Sequence, residues 1–155
     1  MAVLTKKQKS VHAQPERLAE LAEFRFRLRQ FLAFSETAAE AAGISAQQYQ
    51  LLQVVAAVPE GSECSISYLA QRMLLRHNSA VELVDRAERS GLVRRVADVA
   101  DHRRSLVEVT EQGNRVLTTL VEAHLAEIET EGPELLHAFQ QLMSGRQSGK
   151  RNGTR

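Results

Sequence analysis

Two stretches of the chain, Leu92–Val96 and Ser105–Val109, alternate with β-branched residues, and the charged run Asp98–Arg104 lies between them. They predict a two-stranded hairpin with a charged tip. The rest of the ordered chain reads as helix. From Pro15, tolerated at a first helical position, no glycine or further proline intervenes until Gly43, a natural stop. A helix over 15–42 would be about 42 Å long. Leu18, Leu21, Ala22, Arg25, Leu28, Phe31, Leu32 and Ser35 follow helical spacing, while Phe24, Phe26 and Phe34 fall outside that stripe. A helix apolar on more than one side needs more than one partner surface, and a second subunit supplies one. Ser45 and Gln48 form a capping-box pair opening a helix to about Val58, where Pro59-Glu60-Gly61 breaks it. Ser65 caps a short helix through Met73, Leu74–Arg76 make a tight connection, and a third helix runs from His77 to Ser90 and stops at Gly91. After the hairpin, Thr110 caps a long helix to about Thr130. Gly132-Pro133 is expected to end it, leaving Glu134–Met143 as a last short helix.

With 155 residues, 43% hydrophobic and 25% charged, the chain fits one soluble globular domain over 15–144 and excludes wholesale disorder, collagen and low-complexity scaffolds. Residues 1–14 and 145–155 read as flexible basic arms. The apolar runs are too short for a membrane span. Met1–Ser10 is basic with no apolar segment behind it, so no secretory signal is expected. The lone Cys64 cannot form an internal disulfide, which points to a cytoplasmic location. The formal charge of +1 hides a division. The arms hold Lys6, Lys7, Lys9, Arg146, Lys150, Arg151 and Arg155 without an acid. The body has arginines but no lysine, and all the acids. Within it, residues 65–104 are net basic and residues 110–144 net acidic. A polyanion would be drawn to the first region and repelled by the second.

The order helix, short helix, tight turn, helix, hairpin is that of a winged helix-turn-helix. The fold class is therefore mainly α with a small β-hairpin wing. Projected at 100° per residue, Ala80, Leu83, Val84 and Ala87 form the buried stripe of the third helix, opposite Asn78, Glu82, Asp85 and Arg89 and flanked by Ser79 and Arg86. A helix in a major groove needs small polar groups near its N-terminus for base edges and cations for phosphates, roles that Arg76, His77, Asn78, Ser79 and Arg86 fit. Glu82 suits a cytosine amine, and Asp85 an arginine of the wing. At the hairpin tip Asp101, His102, Arg103 and Arg104 project. An arginine there can enter a minor groove, with Asp101 fixing its direction. The plain alternatives are an amphipathic surface helix and a charged turn.

The stretches Leu69-Ala70-Gln71-Arg72, Asn78 to Val93 and Asp98 to Gly113 together resemble the MarR family of bacterial transcription regulators. The wing carries the strongest part: Asp101-x-Arg103, alternating apolar residues, then Thr110-x-x-Gly113. The resemblance is close over about 45–115. Residues 15–42 and 114–143 match only in helix number and place, with 15–42 and 111–143 read as the dimerisation helices. It implies a homodimer clasped through the first and last helices, with two winged helices over 45–110 reaching successive major grooves of a pseudo-palindromic double-stranded DNA operator about 34 Å apart. It also implies repression relieved by a small-molecule effector, often phenolic or anionic, seated between the dimerisation helices and the DNA-binding lobe. By match, Asp101 and Arg103 are the wing pair, and Ser79, Ala80, Val81 and Glu82 occupy base-reading positions. At the last two, family members often carry threonine or a basic residue, so no operator sequence carries over. Leu74 stands where the family commonly has a turn glycine, and Val99 where it has a wing proline.

The remaining candidates are weaker. Arg25 and Arg29, one turn apart, could meet an anionic effector. Cys64 could be a redox sensor or a small core residue. His12, His77, His102, His124 and His137 show no metal-ligand spacing, although His124 and His137 could share an ion with Glu127 or Glu134. No phosphate loop, nucleophile elbow or metallopeptidase motif is present, so neither catalysis nor a cofactor is expected. Two alternatives to a ligand-released repressor stay open. One is a dimeric protein-interaction module on the same fold, and the other a cysteine-based redox-sensing repressor.

Overall fold

The computed structural model describes residues 14–148. In order these form α1 (Pro15–Ala41), α2 (Ala46–Ala56), α3 (Ile66–Arg72), α4 (His77–Arg89), β1 (Val93–Ala97), β2 (Ser105–Val109) and α5 (Glu111–Ser148). The basic arm expected over 1–14 lies, except for Gln14, outside the described residues; of the flexible tail expected over 145–155, residues 145–148 instead continue α5 and the remainder lies outside the described residues. The chain falls into two compact units. One is Ser35–His124; the other joins the first part of α1, to Phe34, with α5 from Leu125 onward.

In the Ser35–His124 unit each helix begins and ends for a local reason. Ser45 and Gln48 exchange the two bonds of a capping box, Ser45 Oγ accepting from the Gln48 amide at 3.1 Å and Gln48 Oε1 from the Ser45 amide at 3.0 Å. Ser65 Oγ caps α3 through the Tyr68 amide. Each such cap is worth about 1 kcal/mol. Behind α3 the chain turns at Leu74 with φ +55°, the Leu75 amide returning to the Ala70 carbonyl at 2.9 Å. This is the left-handed position after a helix that glycine usually fills. The buried face of α4 is Ala80, Leu83, Val84 and Ala87, as the projection predicts. Of these, Leu83, Val84 and Ala87 pack in one core with Leu51 and Leu52 of α2, Leu69 of α3, Val93 and Val107 of the hairpin, and Leu117 and Leu120 of α5.

The hairpin pairs antiparallel from Val93↔Val109 to Ala97↔Ser105. Its second strand gains a further edge, because the Val107 amide donates to the Cys64 carbonyl at 2.9 Å and Ser65 bridges Leu106. At its root, Thr110 explains the Thr-x-x-Gly motif. Thr110 Oγ1 donates to the Gly91 carbonyl at 2.5 Å and accepts from the Gly113 amide at 3.0 Å, so it starts α5 while holding the end of α4. Gly113 lets the two backbones touch: a Cβ there would fall 2.0 Å from the Leu92 carbonyl oxygen. His124 is buried too, its ring nitrogens 2.6 Å from the Leu120 carbonyl and 2.9 Å from Ser35 Oγ, and its ring lies beside Tyr49. No group of three His, Cys, Asp or Glu among the described residues could hold a metal ion.

The second unit corrects one expectation. Gly132-Pro133 does not end the helix, and Glu134–Met143 is not a separate one: α5 runs unbroken to Ser148 with Pro133 inside it. A proline inside a helix costs about 3 kcal/mol through a lost hydrogen bond and a clash with the carbonyl four residues earlier. Here contacts after the proline secure α5 to α1. Phe139 packs on Phe24 at 5.6 Å between centroids, Arg17 Nη2 donates to the Leu142 carbonyl at 2.9 Å, and Arg27 lies 3.9 Å from Glu134. Pro133 itself faces solvent, so the orphaned carbonyl side can be hydrated.

Two substitutions probe these turns by urea denaturation. Gly113→Ala should cost at least about 2 kcal/mol, since its new methyl meets backbone that cannot rotate away. A cost within about 0.5 kcal/mol would show that the two backbones are not in contact. Leu74→Gly should stabilise by about 1 kcal/mol by removing a side chain from a left-handed residue. A lowered midpoint would contradict the turn.

Candidate nucleic-acid interface

The exposed side of α4 carries Arg76, His77, Asn78, Ser79, Glu82 and Arg86, all open to solvent. Arg76 is the N-cap residue but makes no side-chain cap bond, so its guanidinium stays outside the helix. Ala80, assigned by resemblance to the base-reading positions, is instead 2% exposed and belongs to the core; its place on the buried stripe forbids the role. His77 and the half-buried Val81 line a cleft of about 480 Å³ with Ser65 and Ser67 from α3 and its cap, and with Arg95, Arg103 and Arg104 from the hairpin. The structure thus brings His77, Arg103 and Arg104 around one cleft. Asn78, Ser79, Glu82 and Arg86 lie on α4 outside it.

The wing tip is internally braced. The Asp98 amide donates to the Arg104 carbonyl at 3.2 Å, and the Arg104 amide to the Asp101 carbonyl at 3.0 Å. Asp101 Oδ1 accepts from the Arg103 amide at 3.1 Å and from Arg103 Nε at 3.2 Å. That is the directing bond expected of Asp101, and it leaves the Arg103 side chain 92% exposed. His102 is exposed beside it. Arg104 behaves differently: Nη2 donates to Glu63 at 3.0 Å, and Nε lies 3.6 Å from Asp98. Asp98 is buried, and its Oδ1 accepts from the Ala100 amide at 2.9 Å.

Sequence reasoning gave no place to Arg95, Asp98 or Glu63. Arg95 donates to Asp85 at 2.6 Å and to Glu88 at 2.9 Å, while its own amide reaches Glu88 at 2.9 Å. Partial burial pulls this guanidinium down, but the two carboxylates outweigh that and hold it above its ordinary value. Asp85 does meet a wing arginine, as proposed from the sequence. A signal for Asp98 was present in its position: an aspartate at the start of a loop can bind the amide two residues on.

These pairings sort the eight arginines of 65–104. Arg94 pairs with Glu108, Arg95 with Asp85 and Glu88, Arg103 with Asp101, and Arg104 with Glu63 and Asp98. Arg72, Arg76, Arg86 and Arg89 have no ion-pair partner among the described residues. Three of those four belong to α4 or cap it, so the unneutralised positive charge gathers around the exposed face of that helix.

The other candidates separate as well. Cys64 is 7% exposed, and burial pushes its thiol up to about 11, away from the thiolate that a sensor needs. Arg25 and Arg29 are exposed on α1. Neither lines the apolar cavity of about 350 Å³ between α1 and α5, where Arg27, Phe31, Ile128, Leu135 and Leu136 stand instead. The helical register turns Arg27 toward α5 and the other two outward. No helix among the described residues is long and apolar enough to cross a membrane.

Residues 42–104 match the model of the MarR family. No curated protein sequence is a significant match. Solved structures share the architecture. AbsC, a MarR family transcriptional regulator from Streptomyces coelicolor, is 21% identical with a TM-score of 0.64, over 97% of this chain and 94% of that one. MepR from S. aureus, in complex with DNA, is 19% identical with a TM-score of 0.59, over 78% and 96%. A mutant of MarR from E. coli is 15% identical with a TM-score of 0.58, over 78% and 79%. At these identities the likeness is one of fold.

The buried thiol yields a direct check. Cys64 should resist a thiol reagent in the native protein at neutral pH and react at the rate set by unfolding; fast native labelling would overturn its placement. Because its folded pKa is raised from 9.0 to about 11, the stability owed to the neutral thiol is intact below pH 9. It should be lost as pH rises through about 11, and Cys64→Ala should flatten that part of the alkaline profile.

Proposed function

We propose that this chain, a MarR-family winged-helix protein, is a sequence-specific transcriptional repressor that binds double-stranded DNA as a homodimer in the cytoplasm and is released by a small-molecule effector. The observation that carries the reading is the joint exposure of the α4 face and of Arg103. Asn78 and Ser79 stand at the helix N-terminus with open donors and acceptors for base edges. Arg76 and Arg86 flank them with unpaired charge for phosphates. Arg103, held by Asp101 yet open to solvent, suits a narrow minor groove beside the site. Arg104 and His102 are secondary, because the first is already engaged by two carboxylates and the second has no directing partner. A carboxylate at Glu82 narrows the choice of base, since it can accept only from a donor such as the cytosine amine.

Dimer formation is supported by apolar side chains that one chain leaves open. Leu18, Leu21, Phe26 and Leu32 on α1, with Leu125, Leu136, Phe139 and Met143 on α5, are all exposed. So many large apolar side chains left open on two long helices favour a partner interface. The apolar cavity between those helices, with Arg27 at its wall, supports a small ligand with an apolar body. Of the two other readings, the protein-interaction module loses much of its motive. Asp85 and Glu88 share Arg95, which cancels one of their two charges, and Glu82 makes no ion pair among the described residues. The redox repressor would need a thiol more accessible than Cys64.

Mobility shift across a salt series, with a duplex from upstream of the gene and a scrambled control, tests the reading. Wild type should prefer the specific duplex and migrate in solution as a dimer. Arg103→Ala should weaken binding and lower the salt slope by about one unit for a phosphate contact, or cost more at A·T-rich flanks for a groove contact. Equal loss on all duplexes at moderate salt, or a monomer at micromolar concentration, would overturn it.

A further inference from the structure

We infer that Arg104 is a positioning residue: it fastens the wing to the segment preceding α3 through Glu63 and Asp98, and does not itself contact DNA. The sequence pairs Arg103 with Asp101 but leaves Arg104 as a further DNA-contact candidate on the same basic tip, and the surroundings of the two differ. Arg103 has one acid beside it and is 92% exposed, while Arg104 is 47% exposed and sits between two. One of those two, Asp98, is a carboxylate only 4% exposed, with a single amide donor on one oxygen. A buried carboxylate is costly unless a cation or donors compensate it, and Arg104 is the nearby cation. The other, Glu63, lies 41 residues away in sequence, so this pair joins parts of the fold that the hairpin ladder does not.

The electrostatics lead to the same assignment. Arg104 with Glu63 and Asp98 carries one net negative charge, so this corner of the wing offers a phosphate no attraction. For Arg104 to reach DNA it would have to abandon both acids, leaving Asp98 buried without its cation. Midway along β1, Arg95 plays the matching part with Asp85 and Glu88 of α4. The wing is therefore held at two points by arginines that look inward, and Arg103 is the tip arginine left to look outward.

The inference rests on the DNA-binding reading only where affinity is measured, so one arm of the test avoids DNA. A fluorophore on Val99→Cys, 90% exposed at the tip, reports wing motion while the buried Cys64 stays unlabelled. Arg104→Gln and Glu63→Gln should each raise the label's local mobility, the double variant no further than either alone, and Arg103→Gln should leave it unchanged. Mobility unaffected by both single changes overturns the proposal, whether or not the protein binds DNA. In the DNA arm, both single variants should weaken the specific complex about fivefold with an unchanged salt slope. The opposite pattern, Glu63→Gln tightening the complex while Arg104→Gln lowers the slope by about one, would make Arg104 a phosphate contact and overturn it equally. Should Arg104→Gln fail to fold by circular dichroism, Arg104→Lys replaces it, keeping the charge but without the fork that spans both carboxylates.

Discussion

The contact between Gly113 and the Leu92 carbonyl is the constraint on which the winged-helix unit depends. Three elements meet there: the end of α4, the first strand of the hairpin and the start of α5. Thr110 ties them by donating to Gly91 and accepting from Gly113, and Gly91 itself turns with φ +74°. No side chain larger than hydrogen fits at residue 113, so the distance between α4 and α5 is set by backbone against backbone. A spacing fixed in this way does not adjust by rotamer change, and the angle between α4 and the wing inherits its rigidity.

On that frame, arginine does two distinct jobs. Arg95 and Arg104 face inward, where each bridges two carboxylates and secures the hairpin at mid-strand and tip. Arg76, Arg86 and Arg103 face outward, the first two without an acid partner among the described residues and the third with one that aims it. The difference lies in the neighbours supplied by other elements. Asp85 and Glu88 come from α4 and Glu63 from the segment before α3. The wing's cations are therefore divided by tertiary structure into those that hold it and those available to a polyanion.

Much of this was legible in the sequence. The helical stripe Ala80, Leu83, Val84 and Ala87 gave the orientation of α4, because burial at 3.6-residue spacing leaves one solution for the exposed side. Ser45, Ser65 and Thr110 marked three helix starts by cap chemistry that is local. The hairpin was visible from alternation, and Asp101 with Arg103 from their two-residue separation. What could not be read was long-range pairing. Nothing in the neighbourhood of Arg104 predicts Glu63, since ion pairs 41 residues apart leave no periodic trace. Arg25 and Arg29 were singled out for their one-turn spacing, yet the arginine that lines the cavity is Arg27, because the register that matters is set by the partner helix. Proline at 133 misled for the same reason: its local cost is real, and the packing of Phe139 and Leu142 against α1 that outweighs it is invisible from within the helix.

That proline also marks where the long helix is weakest. The carbonyl of Glu129 has no amide to receive at residue 133, so the ladder is one rung short near its middle while the turns on either side are complete. Opening of the helix can begin at that gap without first breaking a bond. Amide protection along α5 then divides into two blocks, one cooperative with the Ser35–His124 core and one with the opening turns of α1, exchanging with solvent on separate clocks.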